Sequence, residues 1–240
     1  MPAGDATSIA ARGLRMSRRD PTRTVDAAEG LEYLNECHRA ILTDGTPWTF
    51  LIVTGQVTLA AGTSRYTLSS LATALSATNG IERIVSIVND TEGSRPLKGM
   101  DWPELERLAH STQDDPQGTP IAYAQIGLGS ATPTVLFWPT PTQAFTMGVV
   151  ARLAVVDLIG ADLPLLPASH APSVLAPYVA ARMWDQQGGN EAANMAAAHE
   201  ARHERALRRL IDAYGSARPE DMTFADPTLY EHLEPGVWTT

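Results

Sequence analysis

The stretch GTPIAYAQIGLGSATPTVLFWPTPTQAFTMGVVARLAVVDL, residues 118–158, decides the fold. It contains three apolar runs, Pro120–Leu128, Thr134–Trp138 and Ala144–Leu158, separated by the segments GSATP and PTPT. Short runs of β-branched and aromatic residues divided by Gly and Pro are typical of strands joined by turns. The stretch therefore predicts an antiparallel β-meander.

The middle run is apolar on both faces. Val135 and Phe137 alternate with Leu136 and Trp138, and a strand with two apolar faces is expected to be covered on both sides. Pro139 has no amide hydrogen to donate, so strand pairing should end there or lie at an edge. Phe137 and Trp138 are thus predicted to be core residues of a β-rich region.

Two helices are predicted before this region. Residues 5–16 are weakly amphipathic, and a clearer helix starts at Asp26, where Glu29 completes the pattern of a capping box. In that second helix Cys37 is predicted to be a small core residue and His38 to be structural.

Further strands follow the second helix. The segment Trp48–Leu68 is rich in β-branched and aromatic residues, and Val57–Leu59 is expected to pair with Tyr66–Leu68 as a hairpin. Ile81–Val88 predicts another strand, and Arg95–Lys98 is expected to return from the turn that follows it.

Two helices are predicted near the end. The first covers Ser169–Trp184, and because Pro177 lies inside it, the helix either begins later or bends there. The second begins with Asn190 as its cap and runs to Tyr214. Its expected packing face consists of Leu207, Leu210, Ile211 and Tyr214.

This order of elements predicts an α+β fold rather than alternating βα units. We expect a helical bundle with an inserted antiparallel β-rich domain and an extended C-terminal arm. The expected parts are N-terminal helices (1–47), the β-rich insertion (48–160), a long helix pair (161–215) and the arm (216–240).

Composition restricts the function. The formal net charge is −9, which argues against a protein that clamps nucleic-acid phosphates. The longest apolar run, Ala144–Ile159, is too short and too charged to span a bilayer, and the N-terminus has no signal-peptide pattern. With Cys37 as the single cysteine, no intrachain disulfide can form. These features predict a soluble protein made in a reducing cytoplasm.

Five arginines occur early in the chain. They are Arg12, Arg15, Arg18, Arg19 and Arg23. Because the chain as a whole is acidic, we interpret them as a solvated face or as contacts to an acidic partner, in preference to DNA contacts.

One motif suggests metal chemistry. His199, Glu200 and His203 match the HExxH pattern of zinc peptidases, in which two histidines bind zinc and the glutamate is the general base. No third ligand follows in register, and the neighbouring arginines would repel a cation. The sequence predicts no metal site, no catalytic residue and no cofactor, and a metallopeptidase remains an alternative.

Several motifs along residues 5–215 resemble the head–tail connector, or adaptor, proteins of tailed bacteriophages. The residues that carry the resemblance are EYLNE (Glu32–Glu36), WTFL (Trp48–Leu51), GTSRYTL (Gly62–Leu68), GTP with AY (Gly118–Tyr123), LFWPTP (Leu136–Pro141) and LP (Leu166–Pro167). The resemblance implies a structural virion protein without enzymatic activity.

Proteins of that family form a homo-oligomeric ring, commonly of twelve copies, beneath the portal protein, and the resemblance implies the same for this chain. The ring would extend the DNA channel, let DNA pass without specific binding, and give a downstream tail or nozzle protein a docking face. No membrane is implied. Another β-rich virion component of the tail is the second alternative.

The C-terminal arm, residues 216–240, carries apolar side chains on a proline-rich segment. The predicted partner-binding residues are Phe224, Leu229, Tyr230, Leu233 and Trp238. Acidic residues lie among them, which favours a basic receiving groove. We expect the arm to dock on a neighbouring subunit or on the portal, the alternative being that it folds back on its own helices.

Overall fold

The computed structural model describes residues 4–46, 48–111 and 116–215. The predicted α+β class is confirmed, since the described residues contain six α-helices and largely antiparallel sheets. Contacts divide the chain into two compact units. Of the described residues, those up to Leu51 and those from Val155 to Gly215 form one, here called the helical unit, and Ile52–Ala154 form the other, the β unit.

Four helices build the helical unit: α1 (Ala6–Met16), α2 (Thr24–Thr43), α5 (Ala171–Asp185) and α6 (Gly189–Tyr214). Helix α5 packs against each of the other three, so it forms the centre of the unit. Its buried side chains include Val174, Leu175 and Val179, and Leu34 of α2 and Leu210 of α6 belong to the same core. Cys37 is buried in this core as predicted.

The residues predicted to cap α2 and α6, Asp26 and Asn190, are not the caps. Helix α1 is capped by Asp5, whose side chain accepts a hydrogen bond from the Ser8 amide. Helix α2 begins two residues before Asp26, which lies buried in its first turn. There the carboxylate lies 3.8 Å from Arg19 and 3.9 Å from Arg23, and it faces the positive end of the helix.

Helix α6 is capped by Gly188 instead of Asn190. The Gly188 φ of 69° is a left-handed conformation that glycine adopts without steric cost. On the expected packing face of α6, Leu210 is fully buried but Ile211 is exposed.

Helix α5 contains Pro177 in its interior, as the sequence indicated. The helix begins at Ala171, which is not late enough to leave Pro177 outside, and it continues through this buried proline. Pro172 lies in its first turn, where a missing amide hydrogen costs no helical bond.

Helices α1 and α5 cross at Gly13. A β-carbon at that position would lie 2.7 Å from Cβ of Val179 and 2.9 Å from the carbonyl oxygen of Ala176. Only glycine therefore permits this approach of the two helices.

The β unit contains ten strands and two shorter helices. The strands are β1 (Ile52–Leu59), β2 (Arg65–Thr67), β3 (Ile81–Asn89), β4 (Arg95–Pro96), β5 (Lys98–Met100), β6 (Gln117–Gly118), β7 (Ala122–Ile126), β8 (Thr134–Trp138), β9 (Thr140–Pro141) and β10 (Phe145–Leu153). The helices are α3 (Leu68–Ala74) and α4 (Trp102–Ser111).

These strands form two four-stranded sheets, in the orders β1-β10-β3-β4 and β2-β8-β7-β5, and a small β6-β9 pair. The pairs β5–β7 and β6–β9 are parallel, and the others are antiparallel. One core cluster joins residues of both larger sheets with Leu68 and Leu71 of α3.

Two predicted strand pairings are wrong. The meander holds for β7 and β8, but β10 leaves it and lies between β1 and β3 in the other sheet. The hairpin also fails, because β1 pairs with β10 while β2 pairs with β8. Both errors come from assuming that neighbours in sequence are neighbours in the sheet. Ile81–Asn89 and the return at Arg95 form β3 and β4 as predicted.

Strand β8 is covered on both faces, as predicted. Val135 and Phe137 are buried in the cluster between the sheets. Leu136 and Trp138 lie against Leu105 of α4 on the opposite face. Phe137 is fully buried, whereas Trp138 is half-buried and packs at the margin of its cluster. Among the described residues, no helix is both long and apolar enough to cross a bilayer.

Candidate interaction site

The segment between Val155 and His170, which precedes α5, presents apolar side chains outward. Val156, Ile159 and Leu163 are 42%, 71% and 63% exposed. In the same segment Leu158 and Leu166 are buried in the helical core. We call residues 155–170 the apolar loop, and its buried leucines fix the position from which the exposed side chains project.

Polar contacts from α2 fasten the apolar loop. The Asn35 side chain forms two hydrogen bonds with the backbone of Leu158: its amide nitrogen donates to the carbonyl oxygen at 3.0 Å, and its oxygen accepts from the amide at 2.8 Å. Arg39 donates to Asp157 at 2.6 Å. Both groups of the Leu158 peptide are therefore satisfied although the side chain is buried.

The start of α1 contacts the same loop. The Ala6 amide donates to the carbonyl oxygen of Asp162 at 2.9 Å, and the Thr7 amide donates to that of Gly160 at 3.1 Å. The first amides of a helix have no partner within the helix, so the loop carbonyls satisfy them. The apolar loop is thereby attached to α1 and α2, both of which are distant from the loop in sequence.

His38 makes a third attachment. The Leu165 amide donates to Nε2 of His38 at 3.2 Å, and the imidazole is 1% exposed. Burial lowers the pKa of His38 to about 4, while Asp157 acts weakly in the opposite direction. The ring is therefore neutral near pH 7, the state in which Nε2 can accept the hydrogen bond. This contact supports the predicted structural role of His38.

A fixed loop with exposed aliphatic side chains is suited to binding protein. Burying one exposed Leu or Ile side chain yields roughly 1.5–3 kcal/mol. Large aliphatic side chains exposed close together in sequence are candidates for an interaction site. The side chains that the loop exposes most are aliphatic, so what they offer a partner is burial of apolar surface.

The HExxH residues lie on α6 in different surroundings. His199 is buried, and burial together with Arg202 lowers its pKa. Neither of its ring nitrogens has a hydrogen-bond partner among the described residues. Nδ1 of His203 lies 2.9 Å from the carbonyl oxygen of Val174, a contact in which the ring donates. No group of three or more potential metal-binding side chains occurs within the described ranges.

Cys37, on α2, is the other group with potential chemistry. Burial is the main reason why the pKa of its thiol is raised, and Glu36 adds to the effect. A thiolate is the reactive form of cysteine, so this side chain acts as a core residue.

The five predicted partner-binding residues of the arm lie outside the described residues. The structure points instead to Val156, Ile159 and Leu163, which the sequence analysis did not single out. The available signal was a stretch of aliphatic residues interrupted by Gly, Pro and Asp, without the period of a helix or strand.

Comparison with known proteins gives the family. No curated protein matches the chain. The family model described as SU10 adaptor protein matches residues 2–225, nearly the whole chain. This confirms the resemblance to phage adaptors found in the sequence. The chain therefore belongs to the SU10 adaptor protein family, and it is a structural adaptor protein of the bacteriophage virion.

Proposed function

We propose that this protein forms a ring below the portal, with twelve copies, that extends the DNA channel and docks the tail. DNA passes through the ring without sequence-specific binding, and the net charge of −9 favours its passage because it disfavours adhesion to phosphates. The role is structural and requires no cofactor. The family match over residues 2–225 carries this proposal.

The apolar loop supports the association step. Its exposed side chains are held in place by Asn35, Arg39 and His38, so little conformational entropy is lost when a partner covers them. We assign the loop to the contact between neighbouring copies in the ring. The C-terminal arm docks on a neighbouring subunit or on the portal.

Imaging of the purified protein, alone and mixed with portal, tests the ring. The expected result is a ring of twelve copies coaxial with the portal. Particles that remain monomeric or trimeric in the presence of portal would contradict an adaptor ring and favour another tail component.

Substitution in the loop tests the subunit contact. Ile159→Asp combined with Leu163→Asp should abolish ring formation while leaving the melting temperature nearly unchanged, because both side chains are exposed. Val25→Asp on α2 is the matched control, since Val25 is 62% exposed in the same unit but lies outside the loop. Rings that form normally with both loop substitutions would remove the loop from the interface.

The metallopeptidase alternative has one observation in its favour, the unpartnered ring of His199. We predict that the motif binds no metal. Elemental analysis of the purified protein checks this: stoichiometric zinc that is lost in His199→Ala together with peptidase activity would overturn the structural role.

A further inference from the structure

Four arginines surround a cleft of about 340 Å³ in the helical unit. They are Arg12 of α1 and Arg202, Arg205 and Arg209 of α6. All four side chains are exposed, and they converge on one cleft in a chain whose net charge is −9. We call this site the arginine cleft.

These arginines differ from others nearby in having no acidic partner. None of the salt bridges found in the described part of the chain involves any of the four. Arg208, on the same helix, pairs with Glu204 at 3.9 Å, and Arg18 pairs with Glu191 at 3.8 Å. Like charges held together without counter-charge repel one another, and a bound anion would relieve that repulsion.

Apolar side chains also line the cleft between the arginines. Met16, Pro177 and Ala206 line the cleft together with the first turn of α5. A ligand that combines negative charge with apolar groups would contact both kinds of lining. A phosphate or a duplex offers charge alone, whereas an acidic peptide with aromatic side chains offers both.

The segment after Gly215 has that composition. It carries Glu220, Asp221, Asp226, Glu231 and Glu234, against Arg218 as its one arginine. Phe224, Tyr230 and Trp238 stand among these acids. Arginine binds carboxylates through paired hydrogen bonds and also stacks on aromatic faces, so one set of side chains can serve both.

The length of the segment permits this contact. Helix α6 ends at Tyr214, about 15 Å along the helix axis from Arg205. The 25 residues from 216 to 240 can span up to about 80 Å when extended. The segment can therefore reach the cleft of its own copy or that of an adjacent copy.

We propose that the acidic, aromatic C-terminal arm, residues 216–240, docks in the arginine cleft formed by α1, α5 and α6. This deepens the proposed docking of the arm by naming the receiving surface. It is tested on isolated protein, so its failure would leave the ring proposal standing.

Photo-crosslinking of the full chain tests the contact. A benzophenone amino acid replaces Phe224 in one preparation and Tyr230 in another, and crosslinked peptides are identified by mass spectrometry. The expected crosslinks fall on α1 and α6 around Met16 and Ala206. Crosslinks that fall only on the β unit or on other faces of the helical unit would overturn the proposal.

Charge reversal supplies the matched comparison. Arg202→Glu with Arg205→Glu should lower the crosslink yield at least five-fold, while Arg208→Glu, on the same helix but paired with Glu204, should leave it unchanged. Reversing Glu231 and Glu234 to arginine in the doubly substituted protein should restore the yield. An unchanged yield in Arg202→Glu/Arg205→Glu would overturn the proposal.

Two further readouts separate the alternatives. When unlabelled and ¹⁵N-labelled chains are mixed, crosslinks between the two labels place the arm in the cleft of a neighbouring copy. If every crosslink joins two peptides that carry the same label, the arm lies in the cleft of its own copy. That result keeps the cleft assignment and contradicts docking on a neighbouring copy. A short DNA duplex that binds the full chain and loses binding in Arg202→Glu/Arg205→Glu would assign the cleft to phosphate and overturn the arm proposal.

Discussion

At the scale of single residues, His38 shows how burial suppresses an ionisation. Its imidazole lies in the helical core and accepts the Leu165 amide, so the charged form has lost its water and has a donor pointed at it. The pKa of His38 is lowered to about 4 for this reason. The attachment of the apolar loop therefore depends on pH.

We predict that the protein loses stability between pH 6.5 and pH 4. The folded pKa lies below the unfolded value, so in that range the unfolded chain binds a proton that the folded chain does not. Above about pH 6.5 the titration of His38 does not lower the free energy of unfolding. Between there and pH 4 it lowers that free energy by roughly 3 kcal/mol. Urea unfolding across this range measures it.

His38→Gln is the control, because its side-chain oxygen can accept from the Leu165 amide but does not titrate. All other ionisable groups are the same in the two proteins. The variant should therefore show a flatter dependence of unfolding free energy on pH. Parallel curves for the two proteins would contradict the assignment to His38.

Phe137 and Trp138 differ in burial although they are adjacent. We predict that Phe137→Ala lowers the free energy of unfolding by about 3–5 kcal/mol, since the ring is fully buried between the sheets. Trp138→Ala should cost less, because its ring is half-buried and its Nε1 has no acceptor among the described residues. Chemical denaturation of both variants checks the order, and an equal or reversed order would contradict this placement.

At the scale of elements, the crossing of α1 and α5 depends on Gly13. Val179 and Ala176 of α5 occupy the space that a side chain at position 13 would need. The contact joins a helix that precedes the inserted strands in sequence to one that follows them, so it connects the two sequence segments of the helical unit.

We predict that Gly13→Ala destabilises the protein by about 1–3 kcal/mol, even though alanine is the better helix former. The added methyl would meet backbone and a stiff β-branched side chain. Gly30→Ala in α2 is the matched control, because there the nearest atoms, 3.2 Å away, belong to the flexible Leu14 side chain. Thermal unfolding should show a clear loss for the first and a small change for the second. Equal changes would refute the close crossing.

The sequence predicted the elements better than their partners. The helical spacing of apolar residues was enough to predict α2 and α6. The apolar residues on both faces of β8 were enough to predict that strand. It did not reveal that β10 pairs with β1 and β3, because that choice depends on residues distant in sequence. Helix α3 was missed because seven residues between strands give too few turns for a period to appear.

The same limit applies to the candidate site. Exposure of Ile159 and Leu163 follows from the hydrogen bonds that orient the loop, and no local pattern encodes them. The sequence shows the arginines of α6 next to the HExxH motif, where they disfavour binding of a zinc ion. Only the folded chain places Arg12 beside them.

At the scale of the whole molecule, the chain is a helical unit interrupted by a β unit and followed by the arm. Both described units have their own core clusters. The arm lies outside the described residues, and from its prolines and apolar residues we expect an irregular segment that docks on a surface.

We predict that a chain ending at Gly215 stays folded and soluble but fails to join portal-bearing heads. Its melting temperature should stay close to that of the full chain if the arm serves assembly, and should fall markedly if the arm completes the subunit core. Sedimentation of heads with labelled protein measures occupancy. Truncated chains that bind heads at full occupancy would contradict the docking role.

The burial of Cys37 has a practical consequence. Because the protein's single thiol is enclosed and protonated, a cysteine introduced on the surface would be the sole target of maleimide reagents, with no need to remove the native one. A dye or a gold cluster at Val25 of α2, which is 62% exposed and lies outside the apolar loop and the arginine cleft, would then report from one known position per subunit. The copies in an assembled particle can be counted by stepwise bleaching of such dyes, directly in the virion.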